Sequence, residues 1–297
     1  MNKPITYRVL GLMSGTSLDG LDIAYCVFTR KKREWTFAIK KAVTVKYSRS
    51  MKEKLAGAAT LSGIELMKLH RYYGLYIARE IKKFLLSNTI KPELISSHGH
   101  TVFHQPEYGI TWQIGSPYAI ASVTGITTIA DFRSADVAFG GQGAPLVPVG
   151  DHYLFSAYDA CLNLGGFSNI SFCVQKKRIA FDICPVNSIL NHIARQQGLA
   201  FDNNGQLAKK GKVHSVLLQK LNNLPYYKQA YPKSLSREWL EREVLPLICN
   251  YTIMPQDLLR TLVEHIAVQI SYILNRYALE KVLVTGGGVH NGFLMQV

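Results

Sequence analysis

Cysteine is scarce in this chain of 297 residues and forms no Cys-x-x-Cys pair; the five cysteines, an odd number, are Cys26, Cys161, Cys173, Cys184 and Cys249. A disulfide framework and a structural zinc site are therefore not expected, and a reducing cytoplasm fits this usage. The chain also lacks an apolar run of membrane-spanning length, and its N-terminus leads straight into a strand-like segment instead of a signal peptide. We expect a soluble, cytoplasmic protein.

Acidic residues are few, since 20 Asp and Glu stand against 34 Lys and Arg and give a formal net charge of +14 with a pI near 9.5. Such a balance is found in many nucleic-acid-binding proteins. Here, however, the basic clusters lie at separate predicted turns: Arg30–Arg33, Lys176–Arg178 and Lys209–Lys212. No recognition helix, zinc finger or RNA-binding motif accompanies them. A solvated basic surface that attracts anionic substrates such as nucleotides is the favoured interpretation, and a nucleic-acid-binding protein is the weaker alternative.

The first half of the chain contains a hydrophobic pattern of three strands, a helix and a further strand. Strand-like runs lie at 7–12, 23–28, 34–46 and 94–97. Ser62 and Glu65 resemble a capping box. An apolar stripe at helical spacing follows them, formed by Leu66, Leu69, Tyr73, Ile77, Ile81 and Phe84. The length of 297 residues suits one large or two medium domains, and 47% hydrophobic residues are enough to form their cores.

The second half repeats this opening. Strand-like runs at 160–164, 168–174 and 178–182 follow one another, with Gly165 and Gly166 in the first turn. Helical patterns then cover 187–195 and 257–277, and a buried strand at 281–285 leads into a turn of three glycines. Two units that each open with strand, glycine turn, strand and strand predict a duplicated α/β fold of two lobes. We place the lobes at 1–130 and 131–297 and expect ligands in the cleft between them.

The segment Gly11-Leu-Met-Ser-Gly-Thr-Ser-Leu-Asp-Gly-Leu-Asp22 joins the first two predicted strands and is the strongest candidate for a ligand-binding turn. Its glycines permit close approach of a ligand, and its backbone N–H groups with the Thr16 and Ser17 hydroxyls can face a polyanion. Asp19 or Asp22 can hold a magnesium ion through water. It is not a Walker loop, because no Lys follows the second glycine and a strand comes next. The alternative is an ordinary tight hairpin.

Two further stretches contain candidate site residues. The segment from Ile126 to Pro145 is rich in glycine and includes Asp131, Arg133 and Asp136, so it is either part of a site or a long interlobe linker. His98, His100 and His104 lie close in sequence. No acidic or Cys partner stands at ligand spacing beside them, so hydrogen bonding to a sugar or a structural role is favoured over metal ligation.

Several segments together resemble the anhydro-N-acetylmuramic acid kinase family, in order and at family spacing from residue 7 to the last residue. They are Gly11–Gly20, Ser97–Thr101, Ala130–Arg133, Gly140–Pro148, Leu162–Ile170, Phe181–Asp182, Pro232–Ser234 and Gly286–Gly288. The resemblance implies the two-lobed, duplicated actin-like ATPase (ribonuclease H-like) fold of sugar kinases, with a nucleotide cleft between the lobes. It also implies a peptidoglycan-recycling reaction, in which 1,6-anhydro-N-acetylmuramate, ATP and water give N-acetylmuramate 6-phosphate and ADP.

The resemblance further implies roles for individual residues. Asp182 is the candidate base that activates the attacking water; its local alternative is the N-cap of the helix that follows. Asp19 and Asp22 are the candidate magnesium ligands, and a homodimer is expected. The candidate sugar-binding residues are His98, His100, Arg133 and Gln142. The candidate nucleotide-binding residues are Gly15, Thr16, Ser17, Leu18, Asp19, Gly20, Leu21, Asp22, Gly165, Gly166, Gly286, Gly287 and Gly288.

The sequence departs from the family pattern in three places. Asp182-Ile-Cys-Pro-Val-Asn187 stands where the family usually has Asp-Thr-Gly-Pro-Gly-Asn, and His100 stands where it usually has Gln. The family also continues beyond the position of Val297, so we expect a truncated C-terminus with apolar surface exposed near Leu283 and Phe293. The alternative function is therefore a catalytically impaired protein that binds a nucleotide or a muramyl sugar.

Overall fold

The computed structural model describes residues 3–15 and 18–297, and the chain divides into two compact units, Met1–Leu146 and Val147–Val297. Thr16 and Ser17, which the sequence analysis assigns to the nucleotide, lie outside the described residues. Residues 131–146, which it assigns to the second lobe, belong to the first unit instead. The physical reason is that Arg133 and Ser134 bond to side-chain and backbone groups of the first unit's strands.

The first unit is a mixed sheet with helices. Its strands are β1 (Ile5–Ser14), β2 (Gly20–Lys31), β3 (Glu34–Lys46), β4 (Leu94–Gln105), β5 (Ile110–Ile114) and β6 (Thr127–Ala130). The sheet order is β3-β2-β1-β4-β5, with β6 also paired to β4. The helices are α1 (Arg49–Ala56), α2 (Gly63–Asn88), α3 (Pro117–Thr124) and α4 (Phe132–Ala138), with short 3₁₀ turns at Ala58–Thr60 and Pro106–Tyr108.

The long helix α2 confirms the helical pattern of the sequence. Ser62 is its N-cap, and the Ser62 hydroxyl accepts the backbone N–H of Glu65 at 3.4 Å, which satisfies one of the free donors of the first turn. The apolar stripe is buried against the sheet, where Leu10, Ile23 and Ile95 are fully buried. Removing this apolar surface from water is the main stabilising contribution to the first unit.

The second unit has a smaller mixed sheet of β7 (Ala160–Leu164), β8 (Phe167–Val174), β9 (Lys177–Pro185) and β10 (Val282–Thr285). Its helices begin with α5 (Val147–Leu154), α6 (Asn187–Gln196), α7 (Gln206–Lys210) and α8 (Ser215–Asn222). They continue with α9 (Pro225–Lys228), α10 (Arg237–Trp239), a π-helical turn (Leu240–Val244), α11 (Leu245–Cys249) and α12 (Pro255–Arg276). Short 3₁₀ turns lie at Asn203–Gly205 and Gly287–His290.

The two sheets repeat one topology, which confirms the predicted duplication. In the first unit the order is β3-β2-β1-β4, with β1 antiparallel to β2 and parallel to β4. In the second unit the order β9-β8-β7-β10 has the same pairings, with β7 antiparallel to β8 and parallel to β10. The carboxyl ends of β1, β3 and β4 therefore lie at one edge of the first sheet, and those of β7, β9 and β10 at one edge of the second. Ligands of open α/β sheets bind beyond such edges.

The expectation of exposed apolar surface near Leu283 and Phe293 is met only in part: Leu283 is half-buried, and Met295 and Val297 beside Phe293 are exposed. Phe293 is buried, and the guanidinium of Arg260 lies 4.9 Å from the centre of its ring. Two side-chain oxygens accept backbone N–H groups of this segment: Asn204 Oδ1 accepts Gly292 N–H at 2.7 Å, and Asn291 Oδ1 accepts Leu294 N–H at 3.1 Å. One local and one long-range polar contact thus fix this turn.

All five cysteines are free thiols. Among the helices that the structure describes, none is long and apolar enough to cross a membrane.

Candidate active site

Between β1 and β2, the backbone N–H of Leu18 donates to Gly15 O at 3.2 Å. Asp19 and Asp22 are exposed, and the Asp22 carboxylate accepts the Thr44 hydroxyl. A Cβ atom on Gly20 would lie 2.6 Å from the carbonyl oxygen of Val45, so glycine is required there for strand packing as well. The side chain of Leu21 is in the core (1% exposed). Of this candidate nucleotide-binding residue, only the backbone could contact a ligand.

A chain of buried hydroxyl groups ends at the residue before this turn. The Tyr47 hydroxyl donates to Ser14 Oγ at 2.8 Å, the Tyr73 hydroxyl lies 2.6 Å from that of Tyr47, and Ser14 Oγ lies 3.1 Å from His100 Nδ1. Burial, together with the nearby His98, lowers the pKa of His100 below its ordinary value, so its ring is neutral at pH 7. The buried His100, predicted to bind sugar, therefore holds the end of β1 against β4 in the described structure.

Arg133, at the start of α4, lies beside His98. Its Nε donates to His98 Nε2 at 2.9 Å, and its Nη1 donates to Gly143 O at 2.8 Å. A guanidinium has donors only, so His98 Nε2 must accept, and the His98 proton resides on Nδ1, which donates to Gly99 O at 2.9 Å. Burial lowers the pKa of His98 and of Arg133. Among the described residues Arg133 has no carboxylate partner. Its guanidinium is oriented by His98 and Gly143, and its remaining N–H groups can bind an anion.

The glycine-rich segment after α4 is held by Asp136. The Asp136 carboxylate accepts Gly143 N–H at 2.7 Å, and its backbone carbonyl accepts Gly141 N–H at 2.8 Å. This carboxylate therefore fixes the loop whose Gly143 carbonyl orients Arg133. Gln142 is exposed within the same loop. The alternative interpretation, a long interlobe linker, does not describe this segment, because its residues are bonded to other residues of the first unit.

No group of three or more His, Cys, Asp or Glu side chains comes together as a metal site in the part of the chain that the structure describes. His104 pairs with the Thr111 hydroxyl at 3.2 Å instead.

The glycine turn between β7 and β8 is bonded to the start of α6. The carbonyl of Gly166 accepts the N–H groups of Val186 and Ser188 at 2.8 and 3.0 Å, and that of Gly165 accepts the N–H of Asn187 at 3.2 Å. The first N–H groups of α6 are thus satisfied by this turn. An anion could be bound here by the exposed outer face of the glycine turn, but not by the helix terminus.

The three-glycine turn after β10 divides into structural and open positions. Gly286 has φ +87°, and a Cβ atom there would lie 2.7 Å from the carbonyl of Leu164. Gly288 is similarly crowded, with Leu164 Cβ at 2.7 Å. Gly287 is exposed, and the nearest atom to a Cβ there is Asn187 Nδ2 at 3.6 Å. Of the three glycines, Gly287 is the one at which a side chain would meet no crowding.

Asp182 lies on β9, opposite Asn169 of β8, near the edge formed by the carboxyl ends of β7, β9 and β10. Its Oδ2 accepts the backbone N–H of Leu235 at 2.8 Å. Among the described residues, its other carboxylate oxygen, Oδ1, has no donor. The helix α6 begins at Asn187 with Val186 as its N-cap and without a side-chain cap. The local alternative for Asp182, a helix N-cap, is therefore wrong.

Burial raises the pKa of the Asp182 carboxyl above its ordinary value, and the Leu235 N–H opposes part of that rise. A raised pKa makes a carboxylate a stronger base at neutral pH. Oδ2 of the carboxylate thus accepts a backbone N–H, and Oδ1 can accept a proton.

The family model for anhydro-N-acetylmuramic acid kinase matches residues 7–297. The chain belongs to this family. The kinase of Pasteurella multocida is 39% identical, over 99% of this chain and 81% of its own length. The kinase of Sulfurovum sp. is 34% identical, over 100% of this chain and 84% of its own length. Among solved structures, component A of the Acidaminococcus fermentans (R)-2-hydroxyglutaryl-CoA dehydratase is 15% identical, with a TM-score of 0.40 over 98% of this chain and 86% of that one.

In this member of the kinase family, the candidate residues form two sets, one in each unit. In the first unit, His98 and Arg133 are in contact, as are His100 and Ser14. In the second unit, the turns at 165–166 and 286–288 meet around Leu164 and Asn187. Sequence reasoning did not identify the partners Tyr47, Tyr73, Tyr226 and Leu235. Only the motif Pro232-Lys-Ser234 marked the region of the last two.

Proposed function

We propose that this protein is an anhydro-N-acetylmuramic acid kinase. It converts 1,6-anhydro-N-acetylmuramate, ATP and water into N-acetylmuramate 6-phosphate and ADP. Family membership over residues 7–297 supports the reaction class. The single observation that supports the chemistry is the Asp182 carboxylate, of which one oxygen is held by Leu235 N–H and the other is open.

The reaction couples ring opening to phosphoryl transfer. Water attacks the anomeric carbon, the bond between C1 and O6 breaks, and O6 takes the γ-phosphoryl group as the bond to ADP breaks. Asp182 accepts the proton of the water. Glycosidases normally need a second carboxyl group to protonate the leaving oxygen. Here phosphoryl capture of O6 takes that place, so one carboxylate suffices, and base catalysis contributes about 10²–10⁴-fold.

Candidate nucleotide contacts are assigned in each unit by itself. In the first unit, the phosphates are assigned to the glycine-rich turn that begins at Gly15, because such turns bind anions. In the second unit, a Cβ atom at Gly166 or Gly287 would meet no atom closer than 3.6 Å. Asp19 and Asp22 suit magnesium, because this ion keeps several waters and needs one or two carboxylates besides phosphate oxygens. Bound there, magnesium supplies charge neutralisation for the transferred phosphoryl group.

Arg133 is assigned to the carboxylate of the sugar's lactyl group. The supporting observations are its fixed orientation by His98 and Gly143 and its lack of a carboxylate partner among the described residues. A planar guanidinium with free N–H groups matches a carboxylate in shape and charge. The basic net charge of +14 also favours encounter with the two anionic substrates. We further propose a cytoplasmic homodimer, as the family resemblance implies.

The test is product formation from 1,6-anhydro-N-acetylmuramate and ATP in ¹⁸O-labelled water. We expect the label at C1 of the product and phosphate at O6. Asp182→Asn should lower kcat by about 10²–10⁴-fold, with little change in the melting temperature, because the amide oxygen can still accept Leu235 N–H.

Turnover of Asp182→Asn within threefold of the parent would rule out Asp182 as the base. The relatives of this chain are kinases, which gives no support to the alternative, a binding protein without turnover. Binding of both ligands without ADP release would support that alternative.

A further inference from the structure

Asp182 is held on three sides by one irregular segment of the second unit. The Tyr226 hydroxyl donates to Asp182 O at 2.6 Å, Asp182 N–H donates to Lys233 O at 3.3 Å, and Leu235 N–H donates to Asp182 Oδ2 at 2.8 Å. Both backbone groups of Asp182 and one carboxylate oxygen therefore have partners from residues 226–235. The neighbouring strand β8 supplies none of these three bonds.

Lys233 connects this segment to the core-facing side of β9. Its Nζ donates to Tyr226 O at 3.3 Å and lies 4.6 Å from the centre of the Tyr226 ring and 5.7 Å from that of Phe181. Phe181 belongs to the hydrophobic core, whereas Asp182, the next residue along the strand, faces the opposite side of the sheet. The ammonium group of Lys233 therefore lies on the core side of β9, away from the Asp182 carboxylate.

We infer that Tyr226 and Lys233 are positioning residues for the reaction, which hold Asp182 so that its open oxygen Oδ1 points to the attacking water. This inference rests on the proposed role of Asp182 as the base. It assigns a function to the motif Pro232-Lys-Ser234: the Lys233 side chain locks the segment, and the backbone at 233 and 235 locks Asp182. A misplacement of about 1 Å at such a base costs about 10²-fold in rate.

The two adjacent tyrosines of α9 give a matched pair of variants. The Tyr226 hydroxyl bonds to Asp182 O, whereas the Tyr227 hydroxyl bonds to His265 Nε2 at 2.9 Å, away from Asp182. Each Tyr→Phe change removes one buried hydroxyl and keeps the ring. We expect Tyr226→Phe to lower kcat by about ten- to 10²-fold with KM for both substrates within twofold, and Tyr227→Phe to keep the kcat of the parent at a similar loss of melting temperature.

Lys233→Met is the second variant, because it keeps the apolar stem and removes the ammonium contacts. It should also lower kcat without raising KM, and Lys233→Arg should recover part of the loss. If Tyr226→Phe and Lys233→Met both keep kcat within twofold while Asp182→Asn is inactive, the positioning role is wrong and the proposed function stands. If kcat falls equally in Tyr226→Phe and Tyr227→Phe, the effect is one of general stability and the inference is also wrong. If Asp182→Asn itself is active, the proposed base fails instead.

Discussion

Arg133 Nε and His98 Nε2 are joined by a hydrogen bond of 2.9 Å, in which the charged guanidinium donates and the histidine accepts. The bond requires a neutral His98, and burial, which lowers the pKa of this ring, favours that state at pH 7. The pair sets the direction of a guanidinium that has no carboxylate partner among the described residues.

The first prediction concerns this guanidinium and the lactyl carboxylate of the sugar. Arg133→Met should raise KM for 1,6-anhydro-N-acetylmuramate by about 10–100-fold, because a hydrogen bond to a charged group contributes about 1.5–3 kcal/mol. Anhydro-N-acetylglucosamine, which lacks the lactyl group, is the matched control ligand, and its Kd should change little. The steady-state rate of ADP release gives KM for the first sugar, and calorimetric titration gives Kd for both. An equal loss of affinity for the two sugars would show that Arg133 does not bind the carboxylate.

The second prediction separates the open glycine from the crowded one after β10. Gly287→Ala should fold like the parent and raise KM for ATP by about tenfold, equal to about 1.4 kcal/mol of lost binding, because a methyl group there meets the nucleotide and not the protein. Gly286→Ala should lower the melting temperature by several degrees, since its Cβ would lie 2.7 Å from the Leu164 carbonyl and φ is +87°. Calorimetric titration with an ATP analogue and melting curves supply the data. Unchanged nucleotide affinity in Gly287→Ala would make the turn purely structural.

The third prediction concerns the buried pair of His100 and Ser14. The folded state lowers the pKa of His100, so the unfolded chain binds a proton first as the pH falls. The contribution of this residue to stability is thus fully present above the ordinary histidine pKa of about 6.5 and is lost as the pH falls toward the lower folded value. His100→Gln should keep the bond to Ser14 and lose less stability on acidification than the parent.

The contrasting variant for the same pair is His100→Leu, which leaves the Ser14 O–H without its acceptor, while Tyr47 still donates to Ser14 Oγ. It should destabilise the protein at pH 7 by about 1–3 kcal/mol. Urea unfolding at pH 7 and at pH 5 compares all three proteins. The assignment is wrong if His100→Leu matches the parent at pH 7, or if His100→Gln loses as much stability as the parent between the two pH values.

Local patterns in the sequence determined the elements. The stripe from Leu66 to Phe84 specifies one buried face at a period of 3.6 residues, and α2 covers it. The repeated order of strands specifies the duplication, because each meander of three strands is built from neighbours along the chain. Family motifs also marked Asp182, Arg133 and the glycine turns as candidates.

Tertiary structure decided what those candidates do. Asp182 could cap a helix only if α6 began directly after it. The helix begins instead at Asn187, with Val186 as its N-cap, and the hydrophobic pattern does not record this starting point. Its partner Leu235 is 53 residues away, in a segment without regular periodicity, and Ser14 and His100 are 86 residues apart. Periodicity records which face of an element is buried, whereas a hydrogen bond between distant residues depends on how the intervening loops pack. The sequence therefore named Asp182 as the candidate base, and only the folded chain showed that Oδ2 of its carboxylate is bonded to Leu235 N–H, which leaves Oδ1 for the proposed step.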